Sequence, residues 1–117
     1  MKDSINSKVA VIINKNGMGH APKELSDVLI KNYLTLLYQE ERKPAYICLY
    51  ADGVFLACDG SHVIEELRNL EKSGTKIVIC KTCLVFNSLL EKVAVGNVGT
   101  MIDIIDVQYN STKVITL

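Results

Sequence analysis

The stretch KVAVIIN, residues 8–14, decides the fold class of this chain. It is apolar and mostly β-branched, which is typical of a strand buried on both faces and therefore of a parallel sheet. Similar stretches follow at 45–50, 76–80 and 113–117. Segments of helical periodicity separate them. The alternation predicts an α/β fold, a three-layer α/β/α sandwich around a mainly parallel sheet of four or five strands.

The segments between the strands predict four helices. Pro22 suits the first turn of the first helix because its missing N–H is not needed there. Ser61 is a candidate N-cap for the second. The apolar spacing predicts the helices over 22–39, 61–72, 82–90 and 100–107. Two short segments stay open: 54–58 fits a short strand or irregular chain, and 93–96 fits a brief strand or a connector.

Length and charge limit the classes of function. The chain has 117 residues, which predicts a single domain, placed here over 8–117. The polar residues 1–7 before it are predicted to form a flexible N-terminus. Lys plus Arg equals Asp plus Glu at 13 each, so no basic excess points to a nucleic-acid partner. The sequence shows no signal-peptide core and no apolar run long enough to span a membrane. We therefore expect a cytoplasmic protein.

The cysteine pattern points to thiol chemistry. The chain has four cysteines, and in the cytoplasm these are expected as thiols rather than structural disulfides. Two of them form the motif CKTC, residues 80–83. A single Cys-x-x-Cys with no second pair and no His at ligand spacing is a poor zinc site, since a structural site needs four ligands. We therefore expect neither a metal nor an organic cofactor.

The CKTC motif places Cys80 at the end of a strand and Cys83 in the first turn of the next helix. A thiol at a helix N-terminus faces the positive end of the helix dipole, which stabilises the reactive thiolate, and Lys81 adds a positive charge. This favours Cys83 as the nucleophile. The alternative is that Cys80 is a buried strand residue and Cys83 a small core residue. Cys48 is expected to be inert core, and the role of Cys58 stays open.

Other polar and glycine residues should share the edge of the sheet with the cysteines. The carboxyl ends of parallel strands meet at one edge, where ligands of such sheets usually bind. Glycine-rich loops there can offer N–H groups to an anion, although they are as often simple turns. His20 is a weaker candidate for a base, and His62 is expected at the surface. The candidate edge residues are Asn16, Gly17, Gly19, Asp52 and Gly53.

Several short motifs resemble the C-terminal domain of YedF-type proteins, a branch of the DsrE-like sulfur-relay family. The most specific is ICKTCL at 79–84, and VG at 95–96 and Met101 follow it in the same order. Weaker matches are GMG at 17–19, the helix over 24–37, DGV at 52–54, GS at 60–61 and LRNL at 67–70. The resemblance extends from about Val9 to Leu117.

The resemblance implies a DsrE-like α/β/α domain over 8–117 that forms a homo-oligomer. It implies a sulfurtransferase-like role in which Cys83 carries sulfur as a persulfide between donor and acceptor proteins, a TusA-like carrier among them, with a link to selenium metabolism. YedF-type proteins usually carry a TusA-like N-terminal domain. Nothing in this sequence matches that domain, so we expect a stand-alone domain or a fragment. Asn16 and Ser26 replace an acidic residue and a glycine common in the family.

Two other classes of function fit the same residues. A dithiol redox module also uses Cys-x-x-Cys at a helix start. Its motif would be expected after an early strand, however, whereas residues 80–83 follow the third. A non-catalytic subunit with structural cysteines would need no reactive thiol at all. The three hypotheses differ in what they expect of Cys83: sulfur loading, disulfide exchange or inertness.

Overall fold

The computed structural model describes the backbone from Ile5 to Leu117 and the side chains from Lys8 onward. Residues 1–4 of the predicted flexible N-terminus lie outside the described residues. The first strand begins at Ile5, three residues earlier than the sequence pattern indicates. The five strands are β1 (Ile5–Ile13), β2 (Lys43–Leu49), β3 (Lys76–Cys80), β4 (Asn97–Gly99) and β5 (Lys113–Thr116).

All five strands run parallel in one sheet. Their order is β4-β3-β2-β1-β5, with the apolar strands β1, β2 and β3 in the interior and the two short strands at the edges. The centre of the sheet is dry because its side chains are apolar on both faces: Ile12, Ile13, Ile47, Leu49, Ile77 and Ile79 are at most 1% exposed. The predicted fold class is confirmed.

Helices cover both faces of the sheet. They are α1 (Lys23–Gln39), α2 (Ile64–Lys72), α3 (Lys81–Phe86) and α4 (Met101–Asn110), with 3₁₀ segments at Ala51–Ala57 and Leu90–Lys92. The chain moves across the sheet in one direction from β1 to β4, and α1 and α2 pack together on one face. It then returns from β4 to β5 at the opposite edge. A right-handed crossover in the reverse direction places α4 on the other face.

Two predicted features between strands β2 and β3 are wrong. The segment 54–58 is neither strand nor irregular, because most of it lies in the 3₁₀ segment Ala51–Ala57. Ser61 is not the N-cap of α2. Val63 holds that position, and the Ser61 hydroxyl accepts a hydrogen bond from the Val63 N–H at 3.2 Å, which stabilises the turn before the helix. Of the two alternatives for 93–96, the connector is the one observed, and the short strand β4 follows it at Asn97–Gly99.

Helix α3 ends at Phe86 rather than at residue 90. The Asn87 side chain donates to the Cys83 carbonyl at 2.8 Å and so satisfies a carbonyl at the helix end. Ser88 then adopts a left-handed backbone with φ 57°, and the Leu89 N–H closes the turn on the Leu84 carbonyl. The periodicity alone did not show this stop because no glycine or proline marks it.

None of the described helices is both long and apolar enough to cross a membrane.

Candidate functional site

The two cysteines of the CKTC motif lie where strand β3 passes directly into helix α3. Cys80 is the last residue of β3 and also the N-cap of α3, with an extended backbone (φ −62°, ψ 118°). Cys83 lies in the first helical turn, as predicted. Cys80 is 1% exposed, whereas Cys83 is half-buried and can be reached from solvent.

The side chains of Cys80 and Cys83 contact each other. Both are free thiols, and a hydrogen bond joins them. A Cys-x-x-Cys pair at a helix start can therefore form a disulfide with little backbone movement.

The residue that holds Cys83 in place is Ala51, which the sequence analysis did not single out. Its backbone N–H donates to the Cys83 Sγ at 3.1 Å. Ala51 has φ 51°, a left-handed conformation that costs a non-glycine residue roughly 1–2 kcal/mol. The only sequence signal for this contact was the position of Ala51, between the end of β2 and the Asp52-Gly53 turn.

The loop that contains Ala51 is wedged against the end of β1. The Tyr50 N–H donates to the Ile13 carbonyl at 3.2 Å, and the Gly53 N–H closes a turn on the Tyr50 carbonyl at 2.9 Å. Gly53 is buried, and a Cβ there would stand 2.1 Å from the Ile13 carbonyl oxygen. No other residue fits without moving backbone. Asp52 and Gly53 therefore do lie at the same edge as the cysteines, as expected.

The surroundings of Cys83 oppose the thiolate that its place at a helix start favours. Burial raises the pKa of the Cys83 thiol, and the hydrogen bond with Cys80 and the nearby Asp52 carboxylate raise it further. The Ala51 N–H acts in the opposite direction, because it stabilises the thiolate, but it does not outweigh the other three. Lys81 is exposed and is not among the groups that shift the pKa of this thiol. Cys83 is therefore mainly a neutral thiol at neutral pH.

The loop after β1 closes on helix α1 instead of opening toward a ligand. The Met18 N–H donates to the Ser26 hydroxyl at 2.8 Å, and the buried Gly17 has φ 148°. A Cβ on Gly17 would lie 2.0 Å from the Ser26 Oγ, so this glycine serves the packing of loop on helix. Gly19 is exposed, with open space around it.

Asn16 lies at a different pocket from the cysteines. This pocket of about 300 Å³ is also lined by Lys23, Asp27 and Phe55, and neither Cys80 nor Cys83 contributes to its lining. The two histidines are exposed. The His62 ring contacts the Asp27 carbonyl at 2.8 Å.

The other two cysteines belong to the core. Burial raises the pKa of the Cys48 thiol to about 11. Cys58 is 1% exposed, and its thiol donates to the Val54 carbonyl at 3.3 Å. Burial, followed by the charge of Asp59, raises the pKa of Cys58 as well. Cys58 is thus a core residue whose thiol has a backbone partner. Among the described residues, no group of three or more His, Cys, Asp or Glu could hold a metal ion.

Solved structures show the same fold. The chain is similar to the ychN protein from E. coli, with a TM-score of 0.69 and 19% identity, over 96% of this chain and all of that one. It is also similar to MTH1491 from Methanobacterium thermoautotrophicum, a protein of unknown function. The TM-score is 0.71 and the identity 14%, over 96% of this chain and 100% of that one. A third similar structure is BT1422 from Bacteroides thetaiotaomicron, also of unknown function. Its TM-score is 0.67 and its identity 16%, over 94% of this chain and 95% of that one.

No protein-family model matches the sequence, and no curated protein matches it. At these identities the structural likeness establishes the fold and nothing about activity.

Proposed function

We propose that this chain is a sulfur-relay protein that carries a sulfane sulfur atom as a persulfide on Cys83. The observation that carries the proposal is the environment of this thiol: half-buried at a helix start, with an N–H donor aimed at its sulfur and a second thiol in contact. The resemblance of residues 79–84 to the DsrE-like family supports the same function.

Sulfur loading on Cys83 is a displacement between sulfur atoms. The Cys83 thiol first loses its proton to water, and the thiolate attacks the outer sulfur of a donor persulfide. A new bond forms between Cys83 Sγ and this sulfur, while the bond to the donor's cysteine breaks and the donor leaves as a thiolate. The Ala51 N–H donates to the Cys83 sulfur at 3.1 Å, so it stabilises the attacking thiolate. No oxidant, metal or organic cofactor is needed.

Cys80 offers a route for release. Its thiol can attack the Cys83 Sγ of the persulfide, which forms a Cys80–Cys83 disulfide and expels the carried sulfur as hydrogen sulfide. The two thiols are oxidised and the sulfane atom is reduced, so an external thiol must reduce the disulfide before the next cycle. Because Cys80 is buried, its thiol is protected from other reactants until it attacks the Cys83 persulfide.

The proposed partners are sulfur-donor and sulfur-acceptor proteins in the cytoplasm, a TusA-like carrier among them, with selenium as an alternative cargo. A homo-oligomer is also proposed. The outer side of α1 supports it, because Leu25, Val28 and Leu36 are each about half exposed. Sedimentation analysis of the purified chain tests this: a monomer at micromolar concentration would contradict it.

A dithiol redox module remains the second candidate, since the hydrogen-bonded Cys80–Cys83 pair favours disulfide formation. Catalysed reduction of insulin disulfides by wild type, abolished in Cys83→Ser, would support this candidate. A third reading, a non-catalytic subunit, is supported by the raised pKa of Cys83 and predicts thiols that do not react with a mild alkylating agent at neutral pH.

Intact-mass spectrometry after incubation with a persulfide donor tests the proposal. We expect wild type and Cys80→Ser to gain one sulfur atom, with more of it retained in Cys80→Ser because the release route is lost. Cys83→Ser should gain none, and Cys48→Ser is the matched control because Cys48 lies in the core. Loading that persists in Cys83→Ser would overturn the assignment, and no added mass on any form would favour the other two readings.

A further inference from the structure

The exposed carboxylate of Asp52 lies at the mouth of the Cys83 site. Asp52 follows Ala51, whose N–H donates to the Cys83 sulfur, and it precedes Gly53, which is locked against β1. The backbone of this loop is therefore fixed relative to the thiol. Asp52 itself is exposed, and its carboxylate lies close enough to Cys83 to oppose the ionisation of the thiol.

The other charged groups near α3 do not cancel this carboxylate. The 3₁₀ segment Ala51–Ala57, strand β3 and the 3₁₀ segment Leu90–Lys92 pack against α3. Asp52 is the acidic residue of the 3₁₀ segment Ala51–Ala57. In the 3₁₀ segment Leu90–Lys92, the opposite charges of Glu91 and Lys92 offset each other. On α3, Lys81 is exposed. The ionisable groups that act on Cys83 are Cys80 and Asp52, and both oppose its ionisation.

The surface beside Cys83 is apolar. Phe86 lies one helical turn after Cys83 and is 85% exposed, and its neighbour Val85 is 55% exposed. Side chains three residues apart lie on neighbouring positions of a helix. A thiol bordered by one carboxylate and an exposed aromatic ring fits a protein surface that has an apolar patch and a basic side chain better than it fits a small free thiol.

We propose that Asp52 selects the partner of Cys83: the donor or acceptor protein presents a lysine or arginine beside its own reactive sulfur. This inference rests on the proposed sulfur relay and names the kind of partner. When the basic side chain pairs with the Asp52 carboxylate, one of the groups that oppose the Cys83 thiolate is neutralised, in addition to the effects of burial and Cys80. The thiol then loses its proton to water and attacks as described above. Without such a partner Cys83 stays protonated, which keeps the free chain from unproductive exchange.

Disulfide exchange with two peptides tests the selection. The probes are the symmetric disulfides of the acetylated, amidated peptides Gly-Arg-Cys-Gly and Gly-Glu-Cys-Gly. The readout is the rate at which the free Cys83 thiol is lost, followed by mass spectrometry as the sum of the mixed disulfide and the Cys80–Cys83 disulfide that Cys80 forms from it. We expect wild type to exchange about tenfold faster with the arginine peptide than with the glutamate peptide. In Asp52→Asn this preference should fall by about threefold or more. High salt should reduce the preference in wild type.

Asp106→Asn is the matched control, since Asp106 is an exposed aspartate of α4 on the other face. It should retain the wild-type preference. In Asp52→Asn, the midpoint of the pH profile for alkylation by neutral iodoacetamide should move to lower pH, which a merely structural role would not produce. Equal peptide preference in wild type and Asp52→Asn, or no exchange at Cys83 with either peptide, would overturn the inference.

The outcomes separate this inference from the proposed function. Sulfur loading on Cys83 without a charge preference leaves the relay in place and removes the role of Asp52. A charge preference without any sulfur loading keeps the role of Asp52 as a selector but removes the relay, and it would make the partner a disulfide substrate. Circular dichroism of each variant excludes loss of fold as the cause.

Discussion

At the scale of single residues, the Cys83 site depends on two backbone positions rather than on further reactive side chains. Ala51 adopts a left-handed conformation, and the neighbouring glycine allows the loop to approach β1 closely. Such strain persists where the surrounding structure holds it in place. Here the Tyr50 N–H bond to β1 and the buried Gly53 provide that hold. The Ala51 N–H that donates to Cys83 is thus held in position by the packing of its loop against β1.

Gly53→Ala tests this hold. The added methyl group would meet the Ile13 carbonyl oxygen, which is backbone and cannot rotate away. We expect a loss of about 2–3 kcal/mol in the free energy of unfolding, measured by urea denaturation. Gly19→Ala is the control, because its φ of 77° is strained for alanine but nothing lies within 4 Å. It should cost about 1 kcal/mol. Equal losses in the free energy of unfolding for the two variants would show that the close approach of Gly53 to Ile13 does not affect stability.

At the scale of elements, the short helix α3 explains why the helix start did not make Cys83 a thiolate. The helix has six residues, and the favourable effect of a helix dipole is modest at partly exposed positions. Burial and the contact with Cys80 act on the same sulfur and raise the pKa of the Cys83 thiol, and the Asp52 carboxylate adds to them. Spacing alone shows the helix start, but the carboxylate comes from a loop that lies 31 residues earlier in the chain.

Helix α4 supports the same edge of the sheet from the other face. Gly99 of β4 pairs with Cys80, and Thr100 then caps α4. The Thr100 hydroxyl accepts from the Asp103 N–H at 3.4 Å, and the Asp103 carboxylate accepts from the Thr100 N–H at 2.8 Å. This reciprocal capping box fixes where α4 begins.

Thr100→Ala should lower the free energy of unfolding by about 1 kcal/mol, because the Asp103 N–H loses its capping partner. Urea denaturation provides the measurement. Thr82→Ala, which changes an exposed threonine of α3, is the control and should stay within about 0.5 kcal/mol of wild type. A loss in Thr100→Ala no larger than that of the control would contradict a stabilising role for the capping box.

At the scale of the whole molecule, the buried thiols couple stability to pH. Cys48 is fully buried, and its pKa rises from 9.0 to about 11. An acid whose pKa is higher in the folded state stabilises the fold below its unfolded pKa, and this stability is lost as pH rises through the folded pKa. Cys58 and Cys83 shift in the same direction. The folded chain therefore becomes less stable in alkaline solution.

We expect the free energy of unfolding to fall between about pH 9 and pH 11, with up to about 2–3 kcal/mol of the loss due to Cys48. Denaturation in urea across this range measures it. Cys48→Ala is less stable at neutral pH, because a buried group is removed, but its stability should fall less steeply with pH. Parallel curves for Cys48→Ala and wild type would exclude Cys48 as a source of the alkaline loss.

The sequence by itself determined the class of fold and the place of the two cysteines. Runs such as 8–14 that alternate with helical segments are typical of strands buried on both faces of a parallel sheet, and such a sheet places Cys80, Asp52 and Gly53 at one edge. Tertiary structure alone decided which groups act on the Cys83 thiol, the Ala51 N–H and the Asp52 carboxylate among them, because they come from a segment distant in the sequence. It also closed the Gly17 loop on Ser26, since a turn and a ligand loop have the same local sequence.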